Sequence, residues 1–322
     1  MTLPRLEQIE ETARLIATAM KPTPEICWAM LSRRCGGEVW VKHENHTPIG
    51  AFKIRGGLAY IHNLMHGKQP PAGIIAATRG NHGQSIAYAA RRYGLDTTIV
   101  VPRGNSAEKN LAMQALGANL LVHGHDFQAA LEYATAQAAA RKLAMIPSFH
   151  ELLVRGVATC GLEFLRRAPD LETVYVPVGL GSGICAMIAA REALGTTTKV
   201  VGVVAENAPA YALSYKAGKP ITTESARTIA DGVACRVPDL QAVEIINRYA
   251  ERIVEVSEAE IRAAMRYYFT DTDNVAEGAG AVPLAALLKE PEAIRGRRVG
   301  LVLTGGNVDR TVFAQILRGE EP

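Results

Sequence analysis

The feature that most constrains the fold is a regular alternation of short apolar runs and longer alanine-rich stretches, which begins near Gly73. The runs GIIAAT, TTIVVP and NLLVHG each precede a stretch with helical periodicity, such as NHGQSIAYAARRYG after the first of them. Continuous apolar runs of this length are typical of strands that are covered on both faces, and the periodic stretches are typical of crossover helices. The alternation therefore predicts an open parallel sheet of the α/β class.

A second set of the same kind begins at Thr173. TVYVPV is followed by a glycine loop and the helical stretch ICAMIAAREALG, and the runs KVVGVVAE, RIVEVS and RRVGLVLT come later. Two such sets predict two open, twisted, mostly parallel sheets, with ligands in the crevice at the carboxyl ends of the strands. After Thr304 one helix-length segment remains, so we expect no C-terminal regulatory domain.

The bulk composition argues against several classes of protein. The 322 residues are 48% hydrophobic, which is enough for two domains with a buried core. The formal net charge of +3 comes from scattered basic residues, so we expect no nucleic-acid partner. No window approaches the roughly 18 uninterrupted apolar residues of a membrane-spanning helix. Five cysteines without a CxxC pair favour a reducing compartment, and we expect a cytoplasmic protein without a membrane partner.

The stretch PVGLGSGICAM, residues 177–187, leads from a predicted strand through alternating glycines into a predicted helix. Such a turn can direct several backbone N–H groups and a helix N-terminus at one anion, as a phosphate site requires. The spacing is GxGxG rather than GxGxxG, and no lysine-serine or lysine-threonine pair follows. Neither the dinucleotide fingerprint nor the nucleotide phosphate loop is matched, and a tight turn without a ligand is the alternative.

Three further loops combine glycines with polar side chains. Residues 77–85, ATRGNHGQS, lie between a strand and a helix, where backbone N–H groups can bind a carboxylate. Residues 303–309, LTGGNVD, place a hydroxyl at a strand end, and residues 46–57, HTPIGAFKIRGG, hold a single lysine among small residues. Each of these loops taken alone is also what an ordinary turn looks like.

Taken together and in this order, the four loops resemble those of the fold type II, or β-family, pyridoxal-phosphate enzymes, and within them the serine/threonine dehydratases and serine racemases. TPIGAFKIRG resembles the family's lysine motif, TRGNHGQ its asparagine loop, VGLGSG its phosphate loop and TGGN its closing loop. The likeness extends from about Pro24 to Thr311. It implies a large domain of residues 1–47 and 145–322, a small domain of residues 48–144 inserted in it, and a homodimer.

The resemblance also implies how the cofactor, pyridoxal 5'-phosphate, is held. Lys53 would bind its aldehyde as a Schiff base and then move the α-proton of the substrate, for which its amine must be desolvated or lie near positive charge. Phe52 would pack against the ring, Asn81 would hydrogen-bond the ring hydroxyl and Thr304 would face the pyridine nitrogen. The phosphate would lie in the loop formed by Gly179, Leu180, Gly181, Ser182 and Gly183.

The implied reaction is an ammonia-lyase reaction on a β-hydroxy amino acid, with L-threonine and L-serine as the expected substrates. The β-hydroxyl would leave with help from the cofactor phosphate as acid, and the enamine product would hydrolyse to a 2-oxo acid and ammonia. A hydroxyl at the pyridine nitrogen would leave the ring neutral, which favours prompt β-elimination. The substrate-binding positions implied are Thr78, Arg79, Gly80, Asn81 and His82, through their backbone N–H groups, and Glu277 near the ring.

Arg79 departs from the family pattern, because the racemases carry at this position a serine that acts as acid and base. A guanidinium stays protonated and is a poor base, so racemase activity is not expected. Arg79 can instead bind a second anionic group on the substrate, such as the side-chain carboxylate of 3-hydroxyaspartate. An arginine that points to solvent or pairs across the cleft is the alternative.

Two patterns bear on metal ions. Glu206 matches a glutamate of the divalent-cation site of some relatives, but Ala212 lies where that site needs an aspartate, so we predict no tight metal site. The histidine pairs in HENH and HGH lie outside any HExxH helix. Polar residues at strand ends are the simpler interpretation of both pairs.

Three alternatives to a threonine or serine dehydratase stay open. The first is a dehydratase for an acidic β-hydroxy amino acid, and the second is a β-replacement synthase of the kind that forms cysteine. The third, from another class, is a non-catalytic protein that binds pyridoxal phosphate or an amino acid in the same fold. The joint presence of Lys53, Asn81 and Thr304 favours an enzyme.

Overall fold

A computed structural model describes residues 1–168 and 170–321. The strands in this part of the chain are β1 (Glu25–Cys27), β2 (Glu38–His43), β3 (Gly73–Ala77), β4 (Asp96–Val101), β5 (Asn119–Val122), β6 (Ala144–Met145), β7 (Thr173–Pro177), β8 (Lys199–Ala205), β9 (Arg252–Val256) and β10 (Arg298–Leu303). The α-helices are α1 (Leu6–Ala17), α2 (Ala29–Cys35), α3 (Lys53–Met65), α4 (Asn81–Arg91), α5 (Ala107–Ala115), α6 (Phe127–Arg141), α7 (Glu151–Arg167), α8 (Ser182–Leu194), α9 (Ala210–Ala217), α10 (Leu240–Tyr249), α11 (Glu258–Thr272), α12 (Gly278–Lys289) and α13 (Arg310–Leu317). None of these helices combines the length and the apolar composition that crossing a bilayer requires.

The strands form two sheets. The larger has the order β1-β2-β10-β7-β8-β9 and the smaller the order β5-β4-β3-β6. Neighbouring strands are parallel throughout, except that β1 runs antiparallel to β2. The predicted α/β class with two mostly parallel sheets is confirmed.

Helices cover both faces of each sheet, which explains why the strands read as continuous apolar runs. Every residue of β3 and of β7 is buried. On the larger sheet, α7 and α8 pack on one face and α11 and α12 on the other. On the smaller sheet, α3 and α4 cover one face and α6 the other. The burial of apolar area on four faces supplies the main driving force for folding.

A cleft of about 980 Å³ lies at the carboxyl ends of the parallel strands. It is lined by the residues that directly follow β3, β7 and β10, together with the first residues of α3. In the larger sheet β8 and β9 lie on one side of β7, and β10 lies on its other side. The strand order therefore reverses at β7. Open α/β sheets bind their ligands at such a reversal of strand order.

Candidate active site

Lys53 is the first residue of α3 and begins a helix at the edge of the cleft. The preceding chain is fixed by a hydrogen bond of 2.9 Å from the Phe52 N–H to the Thr304 carbonyl oxygen. The Lys53 amine donates to Ser182 Oγ at 2.8 Å and lies 4.9 Å from the centroid of the Phe52 ring. Burial lowers the pKa of this amine to about 8. A usable fraction of the amine is therefore a neutral nucleophile near neutral pH.

The glycines after Lys53 serve helix packing, whereas the sequence analysis placed them in a loop. Gly56 and Gly57 lie inside α3 and are buried. A Cβ atom on Gly57 would lie 2.2 Å from Ser85 Oγ in α4, and one on Gly56 would lie 3.0 Å from the Leu153 carbonyl oxygen in α7. Small residues thus let three helices approach each other and hold the start of α3 in place.

The glycine loop after β7 forms the N-terminus of α8. Gly181 has a φ of 93°, which favours glycine, and a Cβ on Gly179 would lie 2.2 Å from the Gly232 carbonyl oxygen. The N–H groups of residues 179–183 have no acceptor among the described residues. Five free N–H groups at the positive end of a helix can bind a phosphate dianion.

The loop after β3 has a similar construction at the N-terminus of α4. Thr78 Oγ1 accepts hydrogen bonds from the N–H groups of Gly80 at 2.9 Å and Gly83 at 3.2 Å, which fixes the turn. The N–H groups of residues 79, 81 and 82 have no acceptor in the described part of the chain. They can therefore bind a carboxylate at the edge of the smaller sheet.

Asn81 belongs to a buried network that crosses the cleft. Its side-chain N–H donates to Glu277 Oε1 at 2.6 Å, and its oxygen accepts from Asn307 at 2.9 Å. Lys109 Nζ lies 3.2 Å from Glu277 Oε2 and 2.7 Å from Asp231 Oδ2. Burial raises the pKa of the Glu277 carboxyl, and the single Lys109 cation, shared with Asp231, does not offset this. Burial alone would lower the pKa of Lys109, but the two carboxylates reverse the sign and raise it.

Glu277 is 2% exposed and lies at the N-cap of α12, without a side-chain hydrogen bond to that helix. Glu277 is therefore a buried carboxyl of the cleft and does not cap α12 through its side chain. Thr304, directly after β10, is 3% exposed and lines the cleft. Its hydroxyl makes no hydrogen bond to another described residue, so it can donate to or accept from a bound ligand.

Arg79 and His82 lie close together in the sequence, and each has a buried nitrogen atom without a hydrogen-bond partner among the described residues. Burial, followed by the nearby Lys53, lowers the pKa of His82 to about 3, so its imidazole stays neutral. Its Nε2 atom is buried and has no partner among the described residues. The Arg79 Nε atom is likewise buried and unpartnered within residues 1–168 and 170–321. Both side chains line the cleft.

The cleft brings together every residue that the sequence indicated for the cofactor and the substrate. Sequence reasoning missed Lys109 and Asp231 and gave no role to Asn307, the last residue of TGGN. These three residues complete the network around Asn81 and Glu277. A lysine in a predicted surface helix and an aspartate in a loop carry no sequence signal that they meet. Glu206, the residue considered for a cation, is exposed and lies 3.4 Å from Lys289 Nζ.

These residues fit pyridoxal phosphate. The buried amine suits its aldehyde, the five unpaired N–H groups of residues 179–183 suit its phosphate, and the Phe52 ring suits its aromatic face. Residues 16–305 match the family model described as pyridoxal-phosphate dependent enzyme.

The chain belongs to this family of pyridoxal-phosphate dependent enzymes. This pyridoxal-phosphate dependent enzyme is 34% identical to the L-threonine ammonia-lyase of Thermotoga maritima over 97% of its own chain and 78% of that protein. The solved processed form of threonine deaminase isoform 2 from Solanum lycopersicum is 26% identical, with a TM-score of 0.88 over 98% of this chain and 94% of the other. A solved pyridoxal 5'-phosphate-dependent aspartate racemase is 27% identical, with a TM-score of 0.89 over 96% and 97% of the two chains.

Proposed function

We propose that this enzyme is an ammonia-lyase that converts a β-hydroxy amino acid, with L-threonine and L-serine as the reference substrates, to a 2-oxo acid and ammonia. The observation that carries the proposal is the partly neutral Lys53 amine, 2.8 Å from Ser182 Oγ, in a cleft that also offers unpaired N–H groups in two loops. The similarity to an L-threonine ammonia-lyase over 97% of the chain supports the same reaction.

In this proposal, the loop of residues 179–183 holds the cofactor phosphate through its N–H groups and the dipole of α8. Phe52 packs against the ring, and Thr304 faces the pyridine nitrogen with its free hydroxyl. Asn81 already uses one amide hydrogen on Glu277. Its second amide hydrogen is available for the ring hydroxyl. When bound, pyridoxal phosphate supplies an aldehyde that bonds to amines and a conjugated ring that accepts negative charge from the substrate Cα.

The substrate is oriented by the smaller sheet. The N–H groups of residues 79, 81 and 82 bind its α-carboxylate at the N-terminus of α4. This places Cα toward Lys53, whose α3 packs directly on α4 through Gly57. The Lys53 amine, with a pKa of about 8, takes the α-proton. His82, neutral beside Lys53, keeps this region free of a competing proton donor.

The reaction balances without a further reagent. The Cα–H bond breaks with its proton passing to Lys53, and the Cβ–OH bond breaks with the hydroxyl leaving as water. The one proton given up by Cα balances the one proton that the leaving hydroxyl takes up. A carbon–carbon double bond forms between Cα and Cβ. The resulting enamine tautomerises to an imine and takes up one water, which gives the 2-oxo acid and ammonia.

The test is the visible absorption of the bound cofactor combined with release of 2-oxo acid. We expect the purified protein to bind pyridoxal phosphate with a visible band and to form 2-oxo acid from L-threonine or L-serine. Lys53→Ala should lose the band and lower kcat by about a hundredfold or more. Lys68→Ala, which removes an exposed lysine outside the cleft, should change neither. A protein without a band after added pyridoxal phosphate, or without 2-oxo acid release, would contradict the proposal.

We also propose that residues 48–144 form a small domain inserted in a large one, that the enzyme is a homodimer, and that it works in the cytoplasm. The smaller sheet, formed by β3 to β6, supports the first point. Exposed apolar side chains on three adjacent helices, Met30, Phe269 and Leu317, support the second. The five cysteines are free thiols, as a reducing compartment requires. Light scattering of the purified protein tests the dimer.

A further inference from the structure

Several of the charged side chains that line the cleft are paired within the protein. Lys109 is held between Asp231 and Glu277, and Arg236 donates to Asp126 at 2.9 Å. In each such pair the charge is neutralised by another side chain of the protein, so it is not available to bind a ligand. The pairing therefore makes any cation without a partner a candidate for ligand recognition.

Arg79 is such a cation. No described residue forms a hydrogen bond or an ion pair with its side chain, which is half-buried. Arg227 also lines the cleft without a described partner, but it is exposed, so that water can satisfy its N–H groups. A half-buried guanidinium without a protein partner is less well solvated than an exposed one, so a carboxylate on a ligand in the cleft can pair with it.

The α-carboxylate of the substrate does not need Arg79. Three unpaired N–H groups of residues 79, 81 and 82, at the positive end of α4, already form a site for one carboxylate. Arg79 belongs to the same loop and lines the same cleft, so its side chain is placed to meet a second anionic group on the same molecule. The two sites together match a dicarboxylate.

We propose that Arg79 determines substrate specificity by binding a carboxylate on Cβ of the substrate, which makes this enzyme a lyase for acidic β-hydroxy amino acids such as 3-hydroxyaspartate. This inference rests on the proposed ammonia-lyase reaction and names its substrate class. The bonds that break are the same, and elimination of water followed by hydrolysis yields 2-oxobutanedioate and ammonia. A guanidinium can bind the second carboxylate through two parallel N–H···O bonds, which fixes its orientation.

The experiment measures kcat/KM of the holoenzyme for threo-3-hydroxyaspartate and for L-serine, and uses their ratio. We expect a ratio of at least about ten in the wild type, because hydrogen bonds to a charged group are worth about that factor or more. Arg79→Gln should lower the ratio at least about tenfold, and Arg79→Lys should keep part of it. The ratio cancels any loss that affects both substrates alike.

Two matched variants control for charge. Arg91→Gln makes the same change at an exposed position at the far end of α4, and Arg227→Gln removes the exposed arginine that lines the cleft. Both should leave the ratio within about twofold, since solvent screens exposed charges. If Arg227→Gln lowered the ratio as much as Arg79→Gln, the general potential of the cleft and not Arg79 would select the substrate, and the proposal would be wrong.

Inhibition supplies a second readout that does not depend on turnover of the acidic substrate. Succinate carries two carboxylates, and butyrate replaces one of them by a methyl group. We expect succinate to inhibit L-serine turnover at a concentration at least about tenfold lower than butyrate, and Arg79→Gln to abolish this difference. Equal inhibition by both compounds in the wild type would overturn the proposal.

The outcomes separate this inference from the proposed reaction. If no substrate yields a 2-oxo acid, the ammonia-lyase reaction itself fails. If L-serine or L-threonine yields a 2-oxo acid while Arg79→Gln leaves both the substrate ratio and the succinate preference unchanged, the reaction stands and the role of Arg79 is refuted.

Discussion

Lys53 illustrates how desolvation alone changes the ionisation of an ordinary side chain. With a pKa of about 8, about a tenth of its amines are neutral at pH 7, against fewer than about one in a thousand for an exposed lysine. The same desolvation disfavours the protonated folded protein. Because the pKa in the folded state lies below the ordinary value of 10.5, folding releases protons, and this lysine lowers stability most below pH 8.

The lowered pKa of Lys53 in the folded state leads to a prediction about stability. In the cofactor-free protein, Lys53→Met should raise the free energy of unfolding at pH 7, because it removes a partly desolvated charge without removing bulk. The advantage should shrink as the pH rises from about 8 toward 10.5, where the wild-type amine is neutral in both states. Urea titrations at pH 7 and pH 10 measure it, with Lys68→Met as the exposed control. A Lys53→Met protein that is less stable than the wild type at pH 7 would contradict the argument.

The resemblance to a family motif singled out Lys53 from the sequence, but the lysine that pairs with Glu277 across the cleft could not be predicted. Lys53 belongs to a local pattern of turn, aromatic residue and glycines, and such patterns reflect local backbone requirements. Lys109 acquires its role through Asp231, which lies 122 residues away in the chain. A contact of this kind depends on how the two sheets are arranged, and no local pattern records that arrangement.

The contact between α3 and α7 determines where Lys53 lies. Arg55, two residues after Lys53, is fully buried and donates to Glu44 at 2.7 Å and to Glu163 of α7 at 2.8 Å. Gly156 of α7 lies against the same turn, and a Cβ there would be 2.3 Å from the Arg55 carbonyl oxygen. The sequence predicted both segments from their patterns, but it did not show that their glycines face each other.

Gly156→Ala should therefore destabilise the protein by about 1–3 kcal/mol, because the added methyl group meets backbone and not a flexible side chain. It should also lower kcat, since a displaced α3 moves the Lys53 amine away from Ser182. Urea unfolding and steady-state kinetics check the two effects. Gly67→Ala, at an exposed position after α3 where a Cβ would lie 3.3 Å from its nearest neighbour, is the matched control. Equal effects of both substitutions would show that the packing argument is wrong.

Across the whole molecule, a few buried ionic contacts join the two sheets over the cleft. Lys109 of α5 belongs to the smaller sheet, while Asp231 and Glu277 lie beside the larger one. Removing the shared cation leaves two carboxylates close together in a buried environment. Breaking a buried pair in this way is far more costly than losing a pair on the surface.

Lys109→Met should accordingly lower the free energy of unfolding by about 3–5 kcal/mol. Adding Glu277→Gln to this variant should restore part of the lost free energy of unfolding, because it removes one of the two carboxylates left without a cation. Lys216→Met, which breaks an exposed pair of 2.9 Å with Glu255, should cost less than about 1 kcal/mol. Chemical denaturation of the three variants tests this. If Lys109→Met were no more destabilising than Lys216→Met, the buried network would not hold the sheets together.

The Thr78 hydroxyl holds the N–H groups of Gly80 and Gly83, so the shape of this turn is set by residues on either side of position 79. The side chain at position 79 is thus free to vary without disturbing the backbone that presents it. With the role proposed for Arg79, one substitution there would change which substrate the enzyme accepts, while the turn that presents the side chain would keep its shape.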